Sequence, residues 1–151
     1  DTRSQVYGGV AAEAPRTDRA VATPRRTVLT HDGEVITAYF FSTSGGRTED
    51  VQLAWPGSAP RPYLVSVPDP FDRISPYHVW SDPPRFSAAR LGELLRVGGP
   101  VADVEILARG ASPRVRSVRV TTTAGRTETI SGADVRARLG LRDTWFTVRR
   151  A

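Results

Sequence analysis

Apolar and polar positions alternate most clearly in the last third of the chain. Val101 to Ala108 reads as a strand, as does Val115 to Thr122, which points Val118 and Val120 inward; Ala124-Gly125 then turns the chain into another strand over Thr127 to Ile130. Ahead of these, Leu91, Leu94 and Leu95 form one apolar helical face. Ser87 stands as its N-cap, Phe86 and Leu91 have the spacing of a hydrophobic staple, and Gly98-Gly99 closes a helix of about three turns. Behind them, Ser131 and Asp134 make an S-x-x-D capping box, Ile130 and Val135 a second staple, and Gly140 a stop before a final strand near Trp145 to Val148. Strands, helix, strands, helix and strand without regular βα alternation predict an α+β domain, mainly antiparallel, with two short C-terminal helices.

The first third carries a different pattern. Gln5, Val6 and Tyr7 read as a short extended piece, Gly8-Gly9 permits a sharp turn, and Pro15 ends that segment. Thr17 is an N-cap for a brief helix over Asp18 to Thr23, which Pro24 terminates. Arg26 to Thr30 and Glu34 to Phe41 then flank His31-Asp32-Gly33, and Asp-Gly is a favoured pair for a tight hairpin turn. Val35 to Phe41 is rich in β-branched and aromatic residues, with Tyr39 and Phe41 on one face and Ala38 and Phe40 on the other. That run stops at Ser42-Thr43-Ser44-Gly45-Gly46, which the hairpin is expected to deliver to a defined place. Adjacent glycines allow close approach of a ligand to the main chain, and Ser42, Ser44 and Thr48 offer small donors and acceptors suited to sugar or carboxylate groups. A flexible polar turn at a strand end is the alternative.

Between Val51 and Pro84 prolines forbid long helix and interior strand, yet Trp55, Tyr63, Phe71, Tyr77 and Trp80 make the stretch too apolar for a linker. The expectation is a long loop pinned by aromatic anchors, with one short strand near Tyr63 to Val67. Rings beside a hydroxyl-rich turn suit a carbohydrate groove, since sugar C–H faces stack on them; Trp55 and Trp80 serve equally well as core.

Composition narrows the chemistry. At 151 residues the length fits one domain, and the absence of cysteine excludes disulfides and thiolate zinc sites. The net charge of +5 favours acidic partners, but the arginines are scattered, with Arg25-Arg26 and Arg149-Arg150 the adjacent pairs, so no basic stripe tracks phosphates and nucleic acid is not the expected partner. No apolar run approaches the roughly 20 residues needed to cross a bilayer. There is no methionine, so the chain starting at Asp1 reads as processed or as a piece of a longer protein.

Four separated stretches, QVYGGVAAE at Gln5 to Glu13, AVAT at Ala20 to Thr23, AYFFSTSGGRTED at Ala38 to Asp50 and PYLVSVPDP at Pro62 to Pro70, resemble the stage II sporulation protein D / amidase enhancer (SpoIID/LytB) family. The tail ISGADVRARLGLRDTWF, Ile130 to Phe146, looks like that family's closing segment. The resemblance implies an extracytoplasmic peptidoglycan-remodelling protein of the cell wall or cell surface, in catalytic members a lytic transglycosylase acting on glycan strands stripped of stem peptides. Its amidase-enhancing members imply a second possibility, a wall-binding module that positions an N-acetylmuramoyl-L-alanine amidase.

The family's catalytic glutamate lies in a Glu-x-Pro motif followed by an alanine-rich helix, and no such helix exists here. Glu13-Ala14-Pro15 imitates the motif, but its order matches the second family element, so the resemblance places the acid upstream of residue 1 and makes the chain about the C-terminal two thirds of the family domain. By the same resemblance Gln5, Tyr7 and Gly9 converge with Ser42, Ser44, Gly45, Gly46 and Thr48 on one saccharide-holding cleft. Some members carry zinc on a cysteine near the Gln-x-Tyr element; here the preceding residue is Ser4, so neither zinc nor another cofactor is expected.

Other chemistries lack their parts. A serine hydrolase needs an activated serine beside His31 or His78, and there is no G-x-S-x-G elbow. A phosphate loop lacks its G-K-[ST] ending. Asp69 and Asp72 read as turn and cap residues.

Overall fold

The computed structural model describes residues 8–22 and 27–150. They fall into two compact units, residues 1–39 and 40–151.

In the first unit a single 3-10 turn, Val10–Ala12, leads into helix α1, Pro15–Ala22. Pro15 opens this helix and does not merely end the preceding segment, because proline's fixed φ and missing N–H suit a first helical position. Thr17, expected to be the N-cap, lies inside the first turn; its Oγ1 donates to the Ala14 carbonyl at 2.7 Å and accepts from the Ala14 amide at 3.3 Å. Strands β1, Thr30–His31, and β2, Glu34–Val35, form the predicted hairpin. Its tight turn is Asp32-Gly33, with φ of 50° and 84°. The strands are far shorter than the apolar run suggested. Residues 36–41 leave the ladder after Ile36 donates to the Leu29 carbonyl, and Tyr39, Phe40 and Phe41 are exposed: with no second layer over them among the described residues, alternation alone does not hold a strand.

The second unit holds the core. Strands β3, Val101–Arg109, β4, Val115–Thr122, and β5, Thr127–Ser131, make an antiparallel sheet in the order β3-β4-β5. The predicted inward face is observed: Val118 and Val120 are 0% exposed and pack with Leu95, Val97, Val101, Val115, Ile130 and Val135. Helix α3, Ala88–Leu95, and helix α4, Gly132–Leu139, supply one face of that cluster, and the Arg138 guanidinium ties them by donating to the Leu95 carbonyl at 2.7 Å.

Both helices are capped as predicted, by Ser87 accepting from the Arg90 amide and Ser131 from the Asp134 amide. α3 is nonetheless two turns long, not three. It ends at Arg96, which takes the left-handed conformation itself at φ 62° and lets the Val97 amide reach the Gly92 carbonyl, so the chain has left the helix before Gly98-Gly99. The expected last strand near Trp145 to Val148 is absent; that segment packs Phe146 on the core, and the Thr144 carbonyl takes the Val115 amide.

Between Val51 and Pro84 the proline-rich stretch contains a short helix not expected from its composition, α2, Val51–Ala54, and a 3-10 turn, Pro70–Ile74, begun by its proline. No strand forms at Tyr63 to Val67. Residues 47–51 instead run antiparallel to 64–69 through the Arg47–Pro68 bridge and the Thr48-to-Val67 and Val51-to-Leu64 hydrogen bonds. Trp55 and Trp80 are 51% and 39% exposed, which removes them from the core.

Candidate functional site

The serine-glycine bend at residues 42–48 lies in the second unit, and its conformation follows from what its polar groups bind. Ser44 is 2% exposed. Its amide donates to Asp72 Oδ1 at 2.6 Å and the next amide, of Gly45, to Asp72 Oδ2 at 3.0 Å, so one carboxylate spans two consecutive N–H groups. The Ser44 hydroxyl donates to Asp69 Oδ2 at 2.9 Å and accepts from the Gly46 amide at 3.0 Å. The Asp69 amide returns to the Gly46 carbonyl at 2.9 Å. Asp69 and Asp72, read from sequence as turn and cap residues, therefore act across a separation of more than twenty residues; Asp69 precedes the 3-10 turn without a side-chain cap bond to it, and Asp72 lies inside that turn.

Electrostatics reinforce this clamp. Burial alone raises the Asp72 carboxyl pKa, but hydrogen bonds from His78 and from Ser44 and Gly45 outweigh it and hold the group below the ordinary carboxylate value. His78 Nδ1 lies 2.5 Å from Asp72 Oδ2, and its ring stands beside Gly46, where an added Cβ would come 3.4 Å from Cε1. An aspartate orienting an imidazole is part of a triad, yet among the described residues no serine hydroxyl bonds the other ring nitrogen.

On the opposite flank Arg114 gathers the carbonyls. It donates to Ser44 O at 2.8 Å and Arg47 O at 3.1 Å, pairs with Asp143 at 3.2 Å, and stands 5.5 Å from the Trp145 ring centroid. Trp145 in turn abuts Gly45. At φ 76° Gly45 occupies the left-handed region, and a Cβ there would sit 3.0 Å from Trp145 Cε3, so this position needs glycine both for its backbone and for its neighbour.

The residues singled out from sequence divide accordingly. Ser44 and Thr48 spend their hydroxyls inside the protein; Thr48 Oγ1 donates to Val65 O at 3.1 Å and accepts from the Val67 amide at 2.8 Å. Gly45 and Gly46 are half-buried, with amides already engaged, so the bend is not an empty anion nest. Ser42 is exposed at its rim. Gln5 and Tyr7 lie outside the described residues. Gly9 belongs to the first unit, where it precedes the Val10–Ala12 turn at φ 84°, and Glu13 is an exposed residue closing that turn. Within its own unit the bend is held by Asp69, Asp72 and Arg114. Arg114 and Trp145 carried no local signal, since each acts on a segment far away in sequence.

No family model matches the chain. It is 33% identical to stage II sporulation protein D of Bacillus subtilis (strain 168) over 131 residues, which is 87% of the chain and 36% of that relative. The same extent is 31% identical to stage II sporulation protein D of Bacillus amyloliquefaciens. A stretch of 71 residues, 47% of the chain and 10% of the relative, is 38% identical to the amidase enhancer of Bacillus subtilis. The chain thus spans 36% of the length of the sporulation relatives it matches.

Proposed function

Because the chain belongs to the stage II sporulation protein D / amidase enhancer family, we propose that it grips peptidoglycan glycan strands as part of a lytic transglycosylase-type cell-wall enzyme. The observation that carries this reading is the bend: a glycine-rich backbone with exposed Ser42 at its rim, held in place by Asp69, Asp72 and Arg114. A rigid scaffold loses little entropy when a sugar chain docks, which favours binding. Ser44 and Thr48 act by shaping the bend, while Ser42 and the outer edges of Gly45 and Gly46 meet the sugar. Gln5, Tyr7 and Gly9 remain part of this proposal as saccharide contacts.

Strand cleavage of this type needs a carboxylic acid that protonates the glycosidic oxygen and then, as carboxylate, takes the proton of the muramic 6-hydroxyl as it attacks the anomeric carbon. In this reading a glutamate from the part of the relatives' length that the chain does not span supplies that group, and Glu13 does not. The working place is extracytoplasmic, at the cell wall. No described helix is long and apolar enough to cross a membrane.

Denuded glycan strands incubated with the chain, and separately with the protein extended at its N-terminus, test the proposal by mass spectrometry of 1,6-anhydromuramyl ends. The chain alone is expected to bind without turnover and the extended protein to cleave; turnover by the chain alone would relocate the acid. The similarity to an amidase enhancer favours a second reading, a non-catalytic wall-binding module. Accelerated release of stem peptides by an added amidase, with no anhydro ends from either form, selects it.

A further inference from the structure

Beside the bend, whose Arg47 it shares, Arg47, Arg109, Gly110, Ala111, Ser112, Pro113 and Trp145 line an open cavity of ≈ 420 Å³. We propose that this cavity holds the carboxylate of an acidic amino-sugar strand, with Arg47 and Arg109 as its two cationic contacts; this rests on the glycan-binding reading above and names the substrate class.

The two arginines differ from others on the same unit. Arg90, Arg119, Arg126 and Arg150 each meet an acid within 3.1 Å, whereas among the described residues neither Arg47 nor Arg109 has an acidic partner. Arg47 donates to Ser66 Oγ at 3.3 Å, and Arg109 to the carbonyls of Pro113 and Phe146. A guanidinium carries five N–H donors, so both retain donors for a ligand while those carbonyls and the Ser66 hydroxyl fix their direction. Glu49, the acid against this wall, is already committed: its oxygens take the Ser112 amide at 3.2 Å and hydroxyl at 2.6 Å. Arg114, the other cation beside Trp145, is neutralised by Asp143. Glu49 keeps its negative charge while Ser112 holds it in place, so Arg47 and Arg109, two cations against one acid, leave a net positive charge at the cavity, and a carboxylate that meets both forms charge-assisted bonds of the stronger class.

Trp145 links this cavity to the bend by packing against Gly45, so a strand lying along the bend brings a substituent within reach of the cavity. Two chemistries place a carboxylate on an amino-sugar strand. One is the lactyl ether of muramic acid once its peptide amide is cut; the other is a uronic acid alternating with the amino sugar.

Calorimetric titration of the chain with three oligosaccharides of equal length separates the cases: a denuded peptidoglycan strand, a hyaluronan fragment and a chitin fragment lacking carboxylates. Carboxylated strands are expected to bind at least about tenfold tighter than chitin, with a preference that shrinks as salt rises. Binding of the denuded strand alone assigns the lactyl carboxylate, and equal binding of hyaluronan assigns the carboxylate in either setting. Arg47→Met and Arg109→Met each reduce the preference toward unity; Arg109, at the exposed end of β3, keeps the test alive if the Arg47 variant misfolds. Equal binding of all three strands, or an unchanged preference in a folded Arg109 variant, overturns the cavity assignment and leaves the glycan reading standing. Binding of none overturns both.

Discussion

The Asp72 carboxylate caps the amide of Ser44 at 2.6 Å with one oxygen while the other lies 2.5 Å from His78 Nδ1. The bend and the segment carrying His78 are thereby fastened through a single charged group, buried where its interactions are least screened by solvent.

Acid is expected to loosen that fastening. The Asp72 pKa is lower in the folded chain than the ordinary 3.8 of an unfolded one, so its contribution is complete above 3.8 and disappears as pH falls through the lowered folded value. Asp72→Asn replaces an acceptor pair by an amide that sets a donor against donors. Urea midpoints recorded against pH should place the variant below the parent at neutral pH and bring the two curves together at the acid end. A constant gap down to the acid end contradicts the linkage.

Gly45→Ala tests the packing of the bend on Trp145. A left-handed conformation costs a side-chain-bearing residue about 1–2 kcal/mol, and the new methyl must displace the indole besides. The unfolding free energy should fall by at least about 1–2 kcal/mol, read as a lower denaturant midpoint, and the tryptophan emission should shift. Gly125→Ala, also at positive φ but with nothing within 4 Å, supplies the strain without the contact and should leave the emission unchanged.

The contrast between the last third of the chain and what precedes it explains what was legible beforehand. Val118, Val120 and Ile130 alternate against a real core, and the Ser131-x-x-Asp134 pair closes within one helical turn, so period and local chemistry suffice. The Asp-Gly turn was equally local. Tyr39, Phe40 and Phe41 have the same strand signal with no layer to bury them, and the ladder ends at Val35. The bend was recognisable as a special stretch from its composition, but its role division was not: Ser44 is held by Asp69 and Asp72, more than twenty residues on, and by Arg114, 70 residues on, through contacts that no periodicity encodes. Arg96 taking a left-handed cap ahead of two available glycines likewise follows from tertiary packing, since Val97 is fully buried there.

Leu95, 1% exposed at the end of α3, joins the helix pair to the sheet. Leu95→Ala should cost about 2–5 kcal/mol by cavity formation, whereas Ser131→Ala, which removes one N-cap bond, should cost about 1 kcal/mol. Equilibrium unfolding of both variants orders the two effects, and equal losses would show that the core is less well packed than its burial indicates.

Ser112 and Gly110, in the loop that lines the arginine cavity, both meet the Glu49 carboxylate. Ser112 is buried, and its hydroxyl and amide are what hold the Glu49 carboxylate against Gly110. Ser112→Ala leaves Glu49 with one of those donors, a loss of about 1.5–3 kcal/mol for a charge-assisted bond. A Cβ on Gly110 would run into the same carboxylate, so Gly110→Ala pushes Glu49 off Ser112 by sterics and should destabilise the chain in the same direction. The freed carboxylate then competes for Arg47 and Arg109. Both variants should weaken binding of a carboxylated strand more than binding of chitin, in the same calorimetric titration; equal weakening of the two would mean that Glu49 acts on the fold alone.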